Sequence, residues 1–198
     1  LTAGVLVTGF APFGVNARNP TGEVARWLDG RRFCGVPVRG VELPVVWDAA
    51  FDAMRSAVEA THPRALIAFG VADRAGVSVE STARNWRGAR ADTLGRGEAD
   101  AGPIEAGGPE AVPTTLSLVP GAGALLPDAP SDDAGDYLCN FVFYRAMRAF
   151  PHVPLRGFVH VPRLWSPATP DGRSLEQIRA AMTRIVEAVA LQASRSTG

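Results

Sequence analysis

The stretch Ala134 to Met147, AGDYLCNFVFYRAM, decides how the rest of this chain is read. Gly135 is a turn residue, and Asp136 is a good helix N-cap because its carboxylate can accept bonds from the next free backbone N–H groups. That cap predicts a helix with Tyr137, Leu138 and Cys139 in its first turn. Leu138, Val142, Ala146 and Ala149 recur at three- and four-residue spacing and form one apolar face, and Pro151 closes the segment. A cysteine at a helix start meets free N–H groups and the positive dipole end, both of which favour the reactive thiolate. Cysteine also serves as a small buried hydrophobe, so its surroundings must decide.

Outward from this helix, strands and helices alternate. On its C-terminal side, Leu155 to Val161 (LRGFVHV) reads as a strand stopped by Pro162, which puts His160 at a strand end. A capping box, Ser174 to Gln177, opens a last helix that presents Leu175, Ile178, Met182, Ile185 and Val189 to a core. On the N-terminal side, Val5 to Thr8 is a buried first strand feeding a turn-rich loop, GFAPFG, that carries Phe10 and Phe13. Asn19-Pro20 is an N-cap followed by proline at the first helical position, with Val24, Trp27 and Leu28 on the buried side. A strand within Val36 to Val46, a helix with Trp47, Phe51, Met54 and Val58, and a strand from Ala65 to Phe69 stopped by Gly70 follow. Val77 to Ala83 is a further strand carrying Glu80, either an exposed edge or a site residue. The arginine-rich loop from Asn85 resists assignment, and Gly102 to Pro113 reads as a surface excursion.

The 198 residues fit one domain with a substantial core, and 20 acidic against 20 basic side chains leave no electrostatic footprint for nucleic acid or anionic membranes. No apolar run approaches a membrane span, and LTAGVLVTGF lacks a signal-type pattern. Two cysteines do not make a disulfide scaffold, so a reducing cytoplasm is the expected compartment. No CxxC, HxH or HExxH spacing occurs, so no metal site is expected.

Alternating strands and helices point to an α/β sandwich with a largely parallel sheet, in which ligands bind beyond the carboxyl ends of the strands. Cys34, His62 and His152 fall on helix-to-strand connections, at the opposite edge. Cys139 and His160 share the productive edge, and Glu80 can join them if its strand runs the right way. A thiolate nucleophile needs a base and a third group to orient that base, and these three residues supply the types. Helix-start N–H groups would hold the oxyanion. Phe10 and Phe13 are open to two readings, a loop tucked onto the core or a flat apolar ligand slot.

GFAPFG with Asn19-Pro20, SVES around Glu80, DAGDYLCNFVFY around Cys139 and GFVHVP around His160 together resemble pyroglutamyl peptidase I (pyrrolidone-carboxylate peptidase), a family of cysteine peptidases. The resemblance runs from about Val5 to the last helix. It implies a three-layer α/β/α sandwich around a largely parallel mixed sheet, of the phosphorylase/hydrolase-like kind. The implied activity is removal of an N-terminal pyroglutamate from peptides, without cofactor, in the cytoplasm, by a homo-oligomer (tetramer or dimer). By position, Cys139 is the nucleophile, His160 the base and Glu80 its orienting partner. Arg90 matches an arginine near the oxyanion, and Phe10, Phe13, Asn19, Val71 and Val142 fall at substrate-binding positions.

Two departures stand out. Val71 occupies a position where many bacterial members carry glutamine, so a lactam contact there must come from backbone. Leu116 to Pro130 is shorter and richer in Gly and Pro than the family's usual helix and strand. Two other functions use the same residues: a cysteine amidohydrolase of another small cyclic amide, and a non-catalytic homologue acting in binding or assembly.

Overall fold

The computed structural model describes residues 4–14, 18–96, 101–116 and 129–195. In chain order the elements are β1 (Val5–Phe10), α1 (Pro20–Leu28), β2 (Arg32–Phe33), β3 (Val36–Leu43), α2 (Trp47–Thr61), β4 (Ala65–Ala72), β5 (Ser78–Glu80), β6 (Thr82–Arg84), β7 (Ala111–Pro113), β8 (Ala129–Ser131), α3 (Leu138–Ala149), β9 (Leu155–Pro162) and α4 (Leu175–Arg195). A seven-stranded sheet runs in the order β2-β3-β1-β4-β9-β5-β8, and β6 and β7 form a separate antiparallel ribbon. The pairs β3-β1, β1-β4, β4-β9 and β5-β8 are parallel, whereas β9-β5 and β2-β3 are antiparallel.

Strand alternation sorts the core into two layers. Val5, Val7, Ala65, Ile67, Phe69, Val159 and Val161 pack with α1 and α4 on one face. Leu6, Leu66, Ala68 and Phe158 pack with α2 and α3 on the other. The expected α/β/α sandwich around a mixed, mostly parallel sheet is therefore the observed fold. From β1 the chain moves to one side of the sheet through α1, then crosses back through α2 to β4. The carboxyl ends of β1 and β4 thus flank a point where strand order reverses, the usual place for a ligand crevice.

Several local expectations hold at the level of single bonds. Asn19 caps α1 through Oδ1, which accepts from the Thr21 N–H at 3.1 Å, with Pro20 at the first helical position. In the capping box of α4, Ser174 Oγ accepts from the Gln177 N–H at 3.1 Å. Gln177 Oε1 accepts in return from the Ser174 N–H at 2.9 Å. Others are corrected. β1 continues to Phe10 along β3, and β4 passes through Gly70 to Ala72 along β9, because in each case one parallel neighbour carries the ladder on. Trp27 is 36% exposed rather than buried, with the guanidinium groups of Arg31 and Arg179 against its ring. Ala111 to Pro113 is not loop but pairs with β6. Cys34, placed by sequence on a helix-to-strand connection, is an exposed turn residue with φ +50° between β2 and β3. The altered segment Leu116 to Pro130 falls mostly outside the described residues.

The helix bearing Cys139 starts one residue later than its sequence suggests. Its N-cap is Tyr137, which makes no side-chain cap bond, and the first helical bond runs from the Phe141 N–H to the Tyr137 carbonyl at 3.0 Å. Asp136 is drawn off instead: its carbonyl accepts the Gly88 N–H at 2.7 Å, and its carboxylate lies over Gly88. Burial of α3 also exceeds one face, since Phe141, Val142, Phe143 and Tyr144 are all buried, while Ala149 is exposed. The β6–β7 ribbon side accounts for this. Asn140 accepts the Arg84 N–H and donates to the carbonyls of Arg84 and Trp86, and Tyr144 Oη donates to the Pro109 carbonyl. An extra layer over α3 makes it a core helix, and each large side chain so buried contributes roughly 1.5–3 kcal/mol.

Candidate active site

Three parallel strands deliver their carboxyl ends to one cavity of about 280 Å³. Phe10 comes from β1, Val71 and Ala72 from β4, and His160 from β9. Cys139 enters from the start of α3, and Phe13, Asn19, Arg74, Arg90 and Tyr137 complete much of the wall.

The sheet register explains why His160 and Glu80 meet. β5 runs antiparallel to β9, with Ser78 opposite His160 and Glu80 opposite Phe158. Opposed residues share a face, so Ser78, Glu80, Phe158 and His160 all project toward α3. The Nδ1 of His160 lies 2.6 Å from Glu80 Oε1, a charge-assisted hydrogen bond in which the imidazole N–H donates to the carboxylate. Glu80 is 0% exposed and His160 is 3% exposed. Its opposite ring nitrogen, Nε2, is the one left for Cys139, which lines the same cavity.

Burial by itself disfavours a charged imidazole and pulls its pKa down. Hydrogen bonds with Cys139 and Glu80, together with their charge, overcome that and raise it from 6.5 to about 9. A histidine so placed holds its proton at neutral pH in the same cavity wall as Cys139. The N-cap Tyr137 makes no side-chain cap bond, which leaves the first-turn N–H groups of α3 without that partner, and Leu138 and Cys139 of that turn line the cavity.

Gly70 makes room for the sulfur. It stands beside His160 in the β4–β9 register. A Cβ there would come within 2.7 Å of both Cys139 Sγ and the Phe158 ring. The missing side chain is a hole in the sheet's surface layer that the thiol occupies.

The aromatic wall is fixed from α1. Asn19 donates from Nδ2 to the Ala11 carbonyl at 3.2 Å, and Thr21 Oγ1 accepts the Phe10 N–H at 3.0 Å. These bonds pin the loop that carries Phe13 to the helix start. Phe10 belongs to the core cluster and also lines the cavity, while Phe13 packs partly buried against the same cluster. Both readings of this loop therefore apply together. The guanidinium of Arg90 lies 4.6 Å from the ring centre of Tyr137 and 5.9 Å from that of Phe13.

The loop bearing Arg90 is anchored by a residue that sequence reasoning passed over. Asp92 is buried and accepts backbone N–H bonds from Leu94, Arg96 and Trp47, the last at the otherwise uncapped start of α2. Those bonds outweigh the cost of burial and hold its pKa below the usual range for aspartate. Trp47 then packs edge-on against Tyr137, which donates to the Ala91 carbonyl. No local spacing signals the link to α2, because Trp47 and Asp92 lie 45 residues apart.

Of the positions implied by the resemblance, Cys139, His160, Arg90, Phe10, Phe13, Asn19 and Val71 come together around the cavity, with Glu80 directly behind His160. Val142 does not join them. It is fully buried in the core cluster between α3 and α2, one helical turn away from the cavity wall. Arg74, absent from the sequence expectations, lines the cavity and reaches Glu80. Cys34, His62 and His152 are not part of it.

A family model described as pyroglutamyl peptidase matches residues 3–194. The chain belongs to the pyroglutamyl peptidase family. It is 39% identical over 174 residues to the pyrrolidone-carboxylate peptidase of Klebsiella pneumoniae, covering 84% of this chain and 80% of the relative. A pyrrolidone-carboxylate peptidase of Streptomyces coelicolor is 36% identical over 178 residues, covering 85% and 81%. Among solved structures, the pyrrolidone carboxyl peptidase of Thermococcus litoralis superposes with a TM-score of 0.85 at 28% identity, covering 99% of this chain and 96% of that one. A variant of the Pyrococcus furiosus enzyme gives 0.82 at 31% identity, covering 95% and 98%. Membership of this enzyme family agrees with the four sequence motifs and with the fold. No described helix is long and apolar enough to cross a membrane.

Proposed function

We propose that this protein hydrolyses the amide bond after an N-terminal pyroglutamate, with Cys139 as nucleophile, His160 as general base and acid, and Glu80 as its orienting carboxylate. The observation that carries the proposal is the buried His160, held at 2.6 Å by Glu80 and sharing with Cys139 the wall of an aromatic-lined cavity. The thiolate attacks the scissile carbonyl, and the oxyanion is received by first-turn amides of α3 with Arg90 nearby. As the C–N bond breaks, the imidazolium gives its proton to the leaving amine. The resulting pyroglutamyl thioester is hydrolysed by water, which passes a proton back to His160. This sequence needs no metal or other cofactor.

Pyroglutamate is flat and uncharged, so Phe10, Phe13 and Val71 can cover it without an ionic partner. An ordinary amino terminus would carry an unpaired ammonium into that slot, and its desolvation supports rejection of unmodified peptides. The natural substrates are then peptides beginning with pyroglutamate, the compartment is the cytoplasm, and the chain self-associates as a homo-oligomer.

Turnover of a pyroglutamyl fluorogenic amide, set beside the prolyl and glutamyl analogues, tests the proposal. Only the first should be cleaved; equal cleavage of the prolyl amide would replace lactam recognition with a broader amidohydrolase. For the slot itself, Phe13→Ala should raise KM about tenfold and change kcat by less than about threefold, as expected for contacts equal in ground and transition states. An unchanged KM would place the ring of the substrate elsewhere.

A further inference from the structure

Arg74 sits between β4 and β5, in a turn whose sequence, VADRAG, suggests an ordinary solvent loop. Its guanidinium instead reaches inward at both ends. Nη1 donates to Ser78 Oγ at 3.0 Å and to Glu80 Oε1 at 3.3 Å, while Nη2 donates to the Asp133 carbonyl at 3.0 Å. Glu80 Oε1 thereby collects His160 Nδ1, Arg74 Nη1 and Ser78 Oγ on one atom. Asp133 in turn accepts the Gly135 N–H through its side chain, within the short turn that leads into Tyr137 and Cys139.

We infer that Arg74 is a positioning residue of the thiol-activating cluster, holding the Glu80 carboxylate against His160 and tying that carboxylate to the turn that sets the start of the Cys139 helix. The inference rests on the peptidase reading and adds a fourth member to its machinery. An exposed ion pair contributes little, but this one differs because its acceptor carboxylate is wholly buried. Four groups act on His160 or on its partner. Cys139 approaches from α3 and Glu80 from β5, while Arg74 from the β4–β5 turn and Ser78 from β5 act through Glu80. Arg90, Asp133, Asp136 and Tyr137 line the same cavity. Among these, Arg74 is the cation bonded to Glu80, so it offsets part of the negative charge that Glu80 presents to the imidazole. Without it, the imidazolium gains stability and becomes a poorer proton donor to the leaving amine, while the turn before Cys139 loses its tether.

The chain has three histidines, so the imidazole signal of His160 can be followed by NMR in the full protein across an alkaline titration. Arg74→Met should move the His160 titration point up by about one pH unit, a modest shift because the guanidinium is partly solvent-screened. The same variant should lower kcat about tenfold with KM within about twofold. Arg74→Lys keeps the charge but cannot reach all three acceptors, so it should leave the titration point near the parent value and recover only part of kcat. Arg74→Gln repeats the neutral test with a side chain that still donates a hydrogen bond. A parent-like titration point in both neutral variants overturns the inference, whatever happens to turnover. If His160 in the parent protein titrates near 6.5, the thiolate–imidazolium reading fails first and takes this inference with it. The two failures are therefore distinguishable.

Discussion

Cys139→Ser should lower pyroglutamyl amide hydrolysis by about a thousandfold or more, with the protein still folded. Oxygen for sulfur removes the group that can share a charge with His160, because a serine hydroxyl is far harder to ionise. Interaction with Cys139 and Glu80 is what raises His160 to about 9 against the cost of burial. The substitution should therefore also bring the His160 titration point down, a change visible without any substrate. Cys139 is only partly buried, so stability should change by less than about 1 kcal/mol in chemical denaturation. His160→Ala should be about as damaging to turnover and Glu80→Gln less so, since members of a triad act as a unit and the orienting group costs less. Cys34→Ser is the control: an exposed turn thiol outside the cavity, whose loss should leave turnover at the parent level. Residual activity in Cys139→Ser within tenfold of the parent would remove Cys139 as nucleophile.

Gly70→Ala should lower kcat about a hundredfold without touching a single reacting group. The added methyl would lie 2.7 Å from Cys139 Sγ and from the Phe158 ring, against about 3.5–4.0 Å for a relaxed contact. Phe158 is fully buried and flanks His160 with ring centres 4.9 Å apart, so it has little room to yield. The sulfur must then turn away from the imidazole, and a displacement near 1 Å is enough for a loss of this size. Overpacking should also cost about 1–3 kcal/mol of stability, read as a lower denaturation midpoint. Gly70 does not have a positive φ, so the effect is steric contact rather than backbone strain. Parent-like kcat would mean that the sulfur does not use this gap during catalysis.

Both substitutions separate what local sequence carries from what folding adds. Periodicity and capping signals were enough for α1, α2 and α4 and for strands β1, β3, β4 and β9, because helix caps and buried runs are short-range features. The rule that ligands sit at the carboxyl ends of strands was enough to separate Cys139 and His160 from Cys34, His62 and His152. Motif order then pointed to Glu80, although nothing in SVES says which way its strand runs.

The amino-acid sequence alone determined the α/β class, the family, and the residues with the chemistry to activate a thiol. Only the tertiary structure decided their geometry. The antiparallel register of β5 on β9 turns Glu80 onto the face of His160, and Gly70 beside them leaves the space that Cys139 fills. It also showed that Val142 belongs to the core, that Asp136 gives up its cap to Gly88, and that Arg74 and Asp92 serve the site from loops. The physical reason is range. Propensity and caps act across one helical turn, whereas these contacts join residues tens of positions apart, and no pattern within a single segment records which distant backbone will come to meet it.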